Sequence, residues 1–361
     1  MDFNKIFRKD ACPTKAGGQA VLEGIMMKGA DRTAVVVRIS DGRMHIKTDK
    51  LKPQSKIAKV PIIRGVYTFI VTLISGMKTL MYSAEVLEKY DPEFQEEETE
   101  KETIANQNKT EEEKEKERAA DFNKMIIFSV ILSVALVVGI FIIVPTVVVN
   151  FAQSLTENDI VLNLLEGVFR ILLFVIYVVI ISKMKDIQTV FRYHGAEHKA
   201  IHCYESGKEL TPENCDEFET LHPRCGTSFL MFVMIISLLL FSLLGWPNLL
   251  IRIASRIILV PVIAGLSFEL LRFAGRSTSP LVKVLSVPGL LLQKLTTKNP
   301  NHKELEVAIA SLKAVLVDEN EPTIEGFCDN DGKLIKSDSE SDEETEESDE
   351  SDEMQAIDSQ N

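Results

Sequence analysis

Cysteine is scarce in this sequence and odd in number. Five in 361 residues, at positions 12, 203, 215, 225 and 328, show no disulfide-like framework. That points to reduced thiols, available as metal ligands or simply buried, rather than to a stapled secreted fold. No apolar stretch follows the opening MDFNKIFRKDACPTKAGGQ, so a cleavable leader is not expected. The glycines at 17, 18, 24 and 29 lack the spacing of a phosphate-binding loop, which sets nucleotide binding aside. Basic excess is absent as well. The net charge is −13, but the acidity is concentrated in Asp91–Asp121 and Ser337–Glu353 and the rest is near neutral or basic, so the acidic balance itself says nothing of partners; no nucleic-acid partner is expected.

What is present is segregation. The mean hydropathy is +0.07 although 26% of residues are charged, so very apolar stretches must alternate with very polar ones. Four runs read as membrane spans: Met125–Val149, Leu164–Ser182, Phe229–Trp246 and Ile257–Phe273. At about 1.5 Å per residue the first crosses a hydrocarbon core of about 30 Å with no charge in it. Trp246, the sole tryptophan, suits an interfacial belt. Pro61–Ala84 has only thirteen uncharged residues between Arg64 and Lys78 and reads as a re-entrant or interfacial helix. Ser279–Leu295, interrupted by Pro288-Gly289, reads the same way. The spans carry few charges, apart from Arg170, Glu269 and Arg272; Glu269 and Arg272 are spaced to pair across a helix turn. Arg252 and Arg256 read as a loop.

The chain therefore reads as an α-helical polytopic membrane protein, with about four transmembrane helices plus re-entrant or interfacial helices and a small N-terminal cytoplasmic β unit. Residues 1–60 form that unit, with a strand over Thr33–Ile39, a turn at Asp41-Gly42 and alternation in RMHIKT. Residues 61–90 form the interfacial helix and 91–121 a charged flexible linker. The membrane domain spans 122–276 and includes a polar loop over 183–228. An interfacial segment and an amphipathic helix occupy 277–317. In that helix Asn301 and Glu304 form a capping box, ahead of a stripe of Leu305, Ile309, Leu312 and Leu316. An acidic disordered tail fills 318–361. Lys and Arg are missing from Asn150–Asn163 but abundant between the second and third spans, which puts the polar loop and both termini in the cytoplasm.

That loop holds the chemistry. RYHGAEHKAIHCYE places His194, His198 and His202 four residues apart. Two imidazoles at i and i+4 share a helix face and can chelate one ion. His194 and His202 lie roughly 12 Å apart along an ideal helix, so two of the three are expected to ligate and His202 to act in support. His194 to His198 also spells H-x-x-E-H, the string by which inverted zincins supply two ligands and a base. Glu197 is then the base that takes a proton from metal-bound water. Glu269 is a distal acidic candidate. Downstream, LHPRCGTSF offers His222 and Cys225, both good ligands for zinc. Cys203 is a further, weaker candidate. If Glu197 has no such role, Lys199 or Arg192 would pair with it.

The blocks GGQAVLEGIMMKG, RYHGAEHKAIHCYE, HPRCGTSF and PGLLLQKLTTKNP, in this order, resemble the YqhQ-like family of bacterial membrane proteins, a domain of unknown function labelled a metal-dependent enzyme. The resemblance implies a bacterial inner-membrane protein. It also implies that the N-terminal block, with Glu23 as another carboxylate, folds against the histidine loop. The combined expectation is a divalent metal, zinc first, held by His194, His198, His222 and Cys225. Glu197 would activate water against a membrane-borne or membrane-proximal substrate. The rival is a membrane scaffold with a structural metal. Beyond the lipid bilayer, the acidic tail or the N-terminal unit is available for a protein partner.

Overall fold

The computed structural model describes residues 3–7, 12, 14, 16–51, 60–92, 128–154, 156, 158–274 and 279–335. Most of the charged stretch up to Asp121 and all of the tail from Ser337 lie outside them. A short helix α1 (Phe3–Ile6) precedes four strands, β1 (Gly17–Val21), β2 (Gly24–Lys28), β3 (Arg32–Arg38) and β4 (Met44–Lys50). Helix α2 (Ile63–Tyr90) follows, then α3 (Phe128–Asn150), α4 (Asp159–Ile181), α5 (Lys185–Glu205) and α6 (Pro212–Asp216). Helices α7 (Thr227–Ser242), α8 (Leu249–Ala274), α9 (Pro280–Thr296) and α10 (His302–Val315) lead to a last strand, β5 (Glu325–Cys328).

The β unit is an antiparallel sheet in the order β1-β2-β3-β4-β5. Alternation along β2 and β3 sends Ile25, Met27, Ala34 and Val36 to one face and Met26, Val35 and Val37 to the other. Both faces are covered. The first packs on α5 and α10 through Tyr193, Ala196, Ala200, Leu305, Ile309 and Leu312; the second meets Val86 and Leu87 of α2. The sheet is thus not a self-contained N-terminal unit, because its fifth strand and its covering helices come from later in the chain.

The turn between β1 and β2 has two residues, since Val21 pairs with Gly24. Such a hairpin requires left-handed backbone, and Glu23 adopts it at φ 46°. The strain is held by two long-range bonds. Arg38 N donates to Glu23 O at 2.8 Å, and the Tyr193 hydroxyl donates to the Glu23 carboxylate at 3.3 Å. The capping box of α10 is present, with Asn301 and Glu304 in reciprocal bonds. Leu316 is the exception in its apolar stripe: it caps the helix and is 36% exposed.

Among the described residues, four helices are long and apolar enough to cross a membrane: α2, α3, α4 and α8. This set differs from the four runs read from sequence. α2 is continuous over 28 residues, and the charge at its start is paired. Arg64 Nε donates to Glu269 of α8 at 2.6 Å, and a Cβ on Gly65 would sit 2.8 Å from Gly265 Cα, so two glycines let the helices cross closely. Glu269 therefore pairs with Arg64, not with Arg272, and its carboxylate is committed away from any ligand role. α7, at 16 residues, is shorter than the span expected there. α9 runs unbroken through Pro288, and Gly289 exists for packing: a Cβ there would lie 2.7 Å from Ser228 Cβ. Arg252 and Arg256, read as a loop, are helical and fully buried in α8.

Candidate metal centre

The candidate residues collect where the sheet half meets the helical bundle. α5 contributes His194, Glu197 and His198. A tight turn before α7 contributes Cys225, whose N–H donates to His222 O at 3.3 Å and whose carbonyl accepts from Ser228 N at 3.1 Å. The end of α9 and the segment before His222 each supply a backbone carbonyl, Thr296 O and Thr220 O.

One ligand atom each from His194, His198 and Cys225 lies within 4.8 Å of the other two. His194 Nε2 is 3.2 Å from Cys225 Sγ. The outer nitrogens are fixed by backbone: His194 Nδ1 is 2.8 Å from Thr296 O and His198 Nδ1 is 2.5 Å from Thr220 O. A carbonyl only accepts, so both Nδ1 atoms carry a proton, and the Nε2 atoms are turned inward. Metal-binding imidazoles are oriented in this way. His198 Nε2 is buried and has no hydrogen-bond partner, an orphan that a cation would satisfy. These donors fit a borderline divalent ion such as zinc.

Electrostatics favour an anionic sulfur. Burial opposes a thiolate at Cys225, but His194 and His198 beside it hold the thiol well below its ordinary value. Burial likewise opposes charge on His194, and Cys225 pushes it up to about 9. Glu197 is buried, and burial raises its carboxyl pKa while His198 and His194 pull it back. It neighbours the trio electrostatically and accepts a bond from Gly18 N at 2.8 Å. Lys199 and Arg192 go elsewhere, to Asp216 at 2.7 Å and Glu304 at 2.8 Å.

The remaining candidates lie beside the trio. His222 is outside it: its ring centroid is 5.6 Å from that of His198, its Nδ1 faces Arg224 N at 3.4 Å, and its Nε2 is 4.0 Å from Glu205. Burial drops its pKa to about 3. His202 turns Nε2 to Leu221 O at 3.0 Å, and burial lowers it to about 4. Cys203 belongs to the hydrophobic core with Cys215. Glu23 bonds Tyr193, one residue from His194.

Sequence reasoning missed Gln293. It accepts from His222 N at 2.8 Å and donates to His222 O at 2.9 Å, clamping the cysteine turn as a strand neighbour would. An amide inside the apolar run LLLQKL was its only signal. Gly195 was also underread. A Cβ there would fall 2.0 Å from Lys298 O, so glycine is what lets α5 approach the carbonyls after α9.

A family model described as "Protein of unknown function (DUF1385)" matches residues 60–318. A protein of Bacillus subtilis (strain 168), described as "Uncharacterized protein YqhQ", is 32% identical over 316 residues, covering 85% of this chain and 94% of its own. The chain belongs to this YqhQ-like family. No solved structure matches it. The family description carries no reaction and no metal, so function has to be argued from the site.

Proposed function

We propose that the protein is a metal-dependent membrane enzyme of hydrolytic type, with its centre at the cytoplasmic membrane face. The observation that carries this reading is the convergence of two carbonyl-oriented Nε2 atoms and one acidic thiol. Three protein ligands with a position left open mark catalytic rather than structural zinc sites. His194, His198 and Cys225 would hold the ion, and His222 would stand behind them. When bound, the ion would supply Lewis acidity and a water acidic near neutrality. Glu197, buried and with Gly18 as its sole hydrogen-bond donor among the described residues, keeps acceptor capacity for a proton. Thr296 and Thr220 fix the imidazole tautomers. Partial exposure of His194 gives the centre its approach, and the adjoining apolar helices favour a membrane-borne or membrane-proximal substrate.

The scaffold reading also has an observation in its favour, since Glu197 ties β1 to α5 through Gly18. Elemental analysis of detergent-purified protein separates the cases. Stoichiometric zinc or a similar ion in wild type, lost in His194→Ala/His198→Ala, supports the centre. Wild type that is folded and stays metal-free after reconstitution sinks it. Metal-loaded Glu197→Gln then distinguishes the roles. The enzyme reading expects metal and stability retained but turnover of a hydrolase substrate panel lost; the scaffold reading expects no turnover even in wild type.

A further inference from the structure

The bundle holds a second polar cluster that the metal centre does not use. Glu166 of α4 sits at its hub, 1% exposed. It accepts from Arg170 at 2.7 Å, from Arg256 at 3.1 Å and from Thr146 at 3.1 Å. Arg252 lies one turn before Arg256 on α8, and positions four apart share a helix face. Arg252 Nη2 donates to Asn150 at 2.8 Å and Arg256 Nη2 to Asn163 at 2.6 Å, both neutral amides, and the nearby Asp159, exposed, accepts from Trp246 N at 3.1 Å. Among the described residues, three buried guanidiniums thus share one buried carboxylate, an excess of two buried positive charges inside an apolar bundle. Removing charge from water without a counter-charge is costly enough that such an excess calls for a partner.

The donors show what is missing. Arg252 Nε and Nη1, Arg256 Nη1 and Trp246 Nε1 are all buried without a hydrogen-bond partner. The arginines are 0% and 1% exposed. Aromatic faces hold the guanidiniums in place: Trp246 lies 3.7 Å from Arg252, and Phe241 lies 4.3 Å from Arg256. Arg170 is anchored differently, its Nε donating at 2.7 Å to Phe141 O, within the π-helical turn Gly139–Ile143. Widened turns of this kind recur at functional sites.

The cluster is remote from the metal centre. From Glu166 to the end of α4 is about 22 Å, and α7 puts about 24 Å between the Cys225 turn and the Trp246 loop. The two sites therefore lie at opposite ends of the bundle. Leu243 and Leu250, 80% and 79% exposed, flank the arginine end with lipid-compatible surface.

We propose that Arg252, Arg256 and Trp246, backed by Arg170, form a binding site for a phosphate oxyanion at the membrane face opposite the metal centre. Guanidinium forks match tetrahedral oxyanions, and four open donors with two excess charges suit phosphate better than a carboxylate. The phosphate can belong to an anionic lipid headgroup or be free in solution.

The test uses full-length protein, delipidated in mild detergent. Thermal unfolding is followed on titration with inorganic phosphate, with short-chain phosphatidylglycerol and with short-chain phosphatidylcholine. The expected result is stabilisation by phosphatidylglycerol, with apparent affinity about tenfold weaker in Arg252→Gln. If inorganic phosphate alone stabilises and Arg252→Gln abolishes the effect, the site stands with a free source. No shift from either anion in wild type, or an equal shift in Arg252→Gln, overturns the proposal. Should Arg252→Gln fail to fold, Arg252→Lys, which keeps the charge and loses the fork, carries the same comparison.

Discussion

Gly18 N donates to the Glu197 carboxylate at 2.8 Å across 179 positions of sequence. One backbone amide thus joins the first strand of the sheet to the helix that carries the candidate base. A side chain at residue 18 would meet Met26 O at 2.7 Å and Glu197 Cδ at 3.0 Å. The first contact is backbone and cannot yield cheaply. Gly18→Ala should lower stability by about 1–3 kcal/mol, read from thermal unfolding, while Gly17→Ala, with nothing within 4 Å, should change little.

Gly195→Ala makes a sharper demand. Its methyl would collide with Lys298 O and push α5 from the segment that presents Thr296 O to His194. Metal stoichiometry should fall along with stability, whereas Ala196→Gly, on the same helix, should cost about 1 kcal/mol and keep the metal.

The cysteines should separate cleanly. Cys225→Ser removes the only thiol of the trio, and bound metal should drop to background in elemental analysis. Cys203→Ser alters a core position beside Cys215, so it should cost stability and leave metal content unchanged.

Acid should loosen the N-terminal segment. Burial works against ionisation of Glu205, but His222, Arg224 and Thr14 N override it and hold the carboxyl at about 2, against an ordinary 4.5. Because folding lowers this pKa, the stabilisation is complete above pH 4.5 and is lost as pH falls towards 2. Wild type should lose thermal stability on acidification from about pH 6 to pH 3, and Glu205→Gln should show a flatter profile. Identical profiles would contradict the assignment.

Glu166→Ala should be among the most damaging substitutions in the bundle. It strips the carboxylate from Arg170 and Arg256 and leaves their charges buried, at a cost of about 3–5 kcal/mol. Folded yield in detergent should collapse, and Arg256→Met in the same chain should recover part of it.

Local signals made much of this legible. The Asp41-Gly42 turn, the strand over Thr33–Ile39, the alternation in RMHIKT and the Asn301–Glu304 box each depend on residues a few positions apart. The i, i+4 spacing of His194 and His198 likewise placed both on one face. What sequence could not give depends on distant or backbone atoms. Thr296 O and Thr220 O orient the imidazoles, yet a carbonyl has no residue signature. His222 looked as good a ligand as Cys225, and only the path of the turn, clamped by Gln293, separates them. Arg252 and Arg256 read as loop charges because their partners, Asn150 and Glu166, lie 102 and 90 positions earlier respectively. The same blindness hid the Arg64–Glu269 pair that joins the start of α2 to α8.

Strand β5 pairs with β4 through Met44–Cys328 to Lys47–Glu325, although every apolar helix of the bundle lies between them in the chain. During synthesis β4 leaves the ribosome early and keeps a bare edge, a surface open to wrong partners, until the last strand follows. The sheet is thus completed only after the whole bundle has been made. A chain truncated after α10 would carry every candidate ligand and still present an unfinished edge. Sheet closure therefore waits on the segment that follows α10.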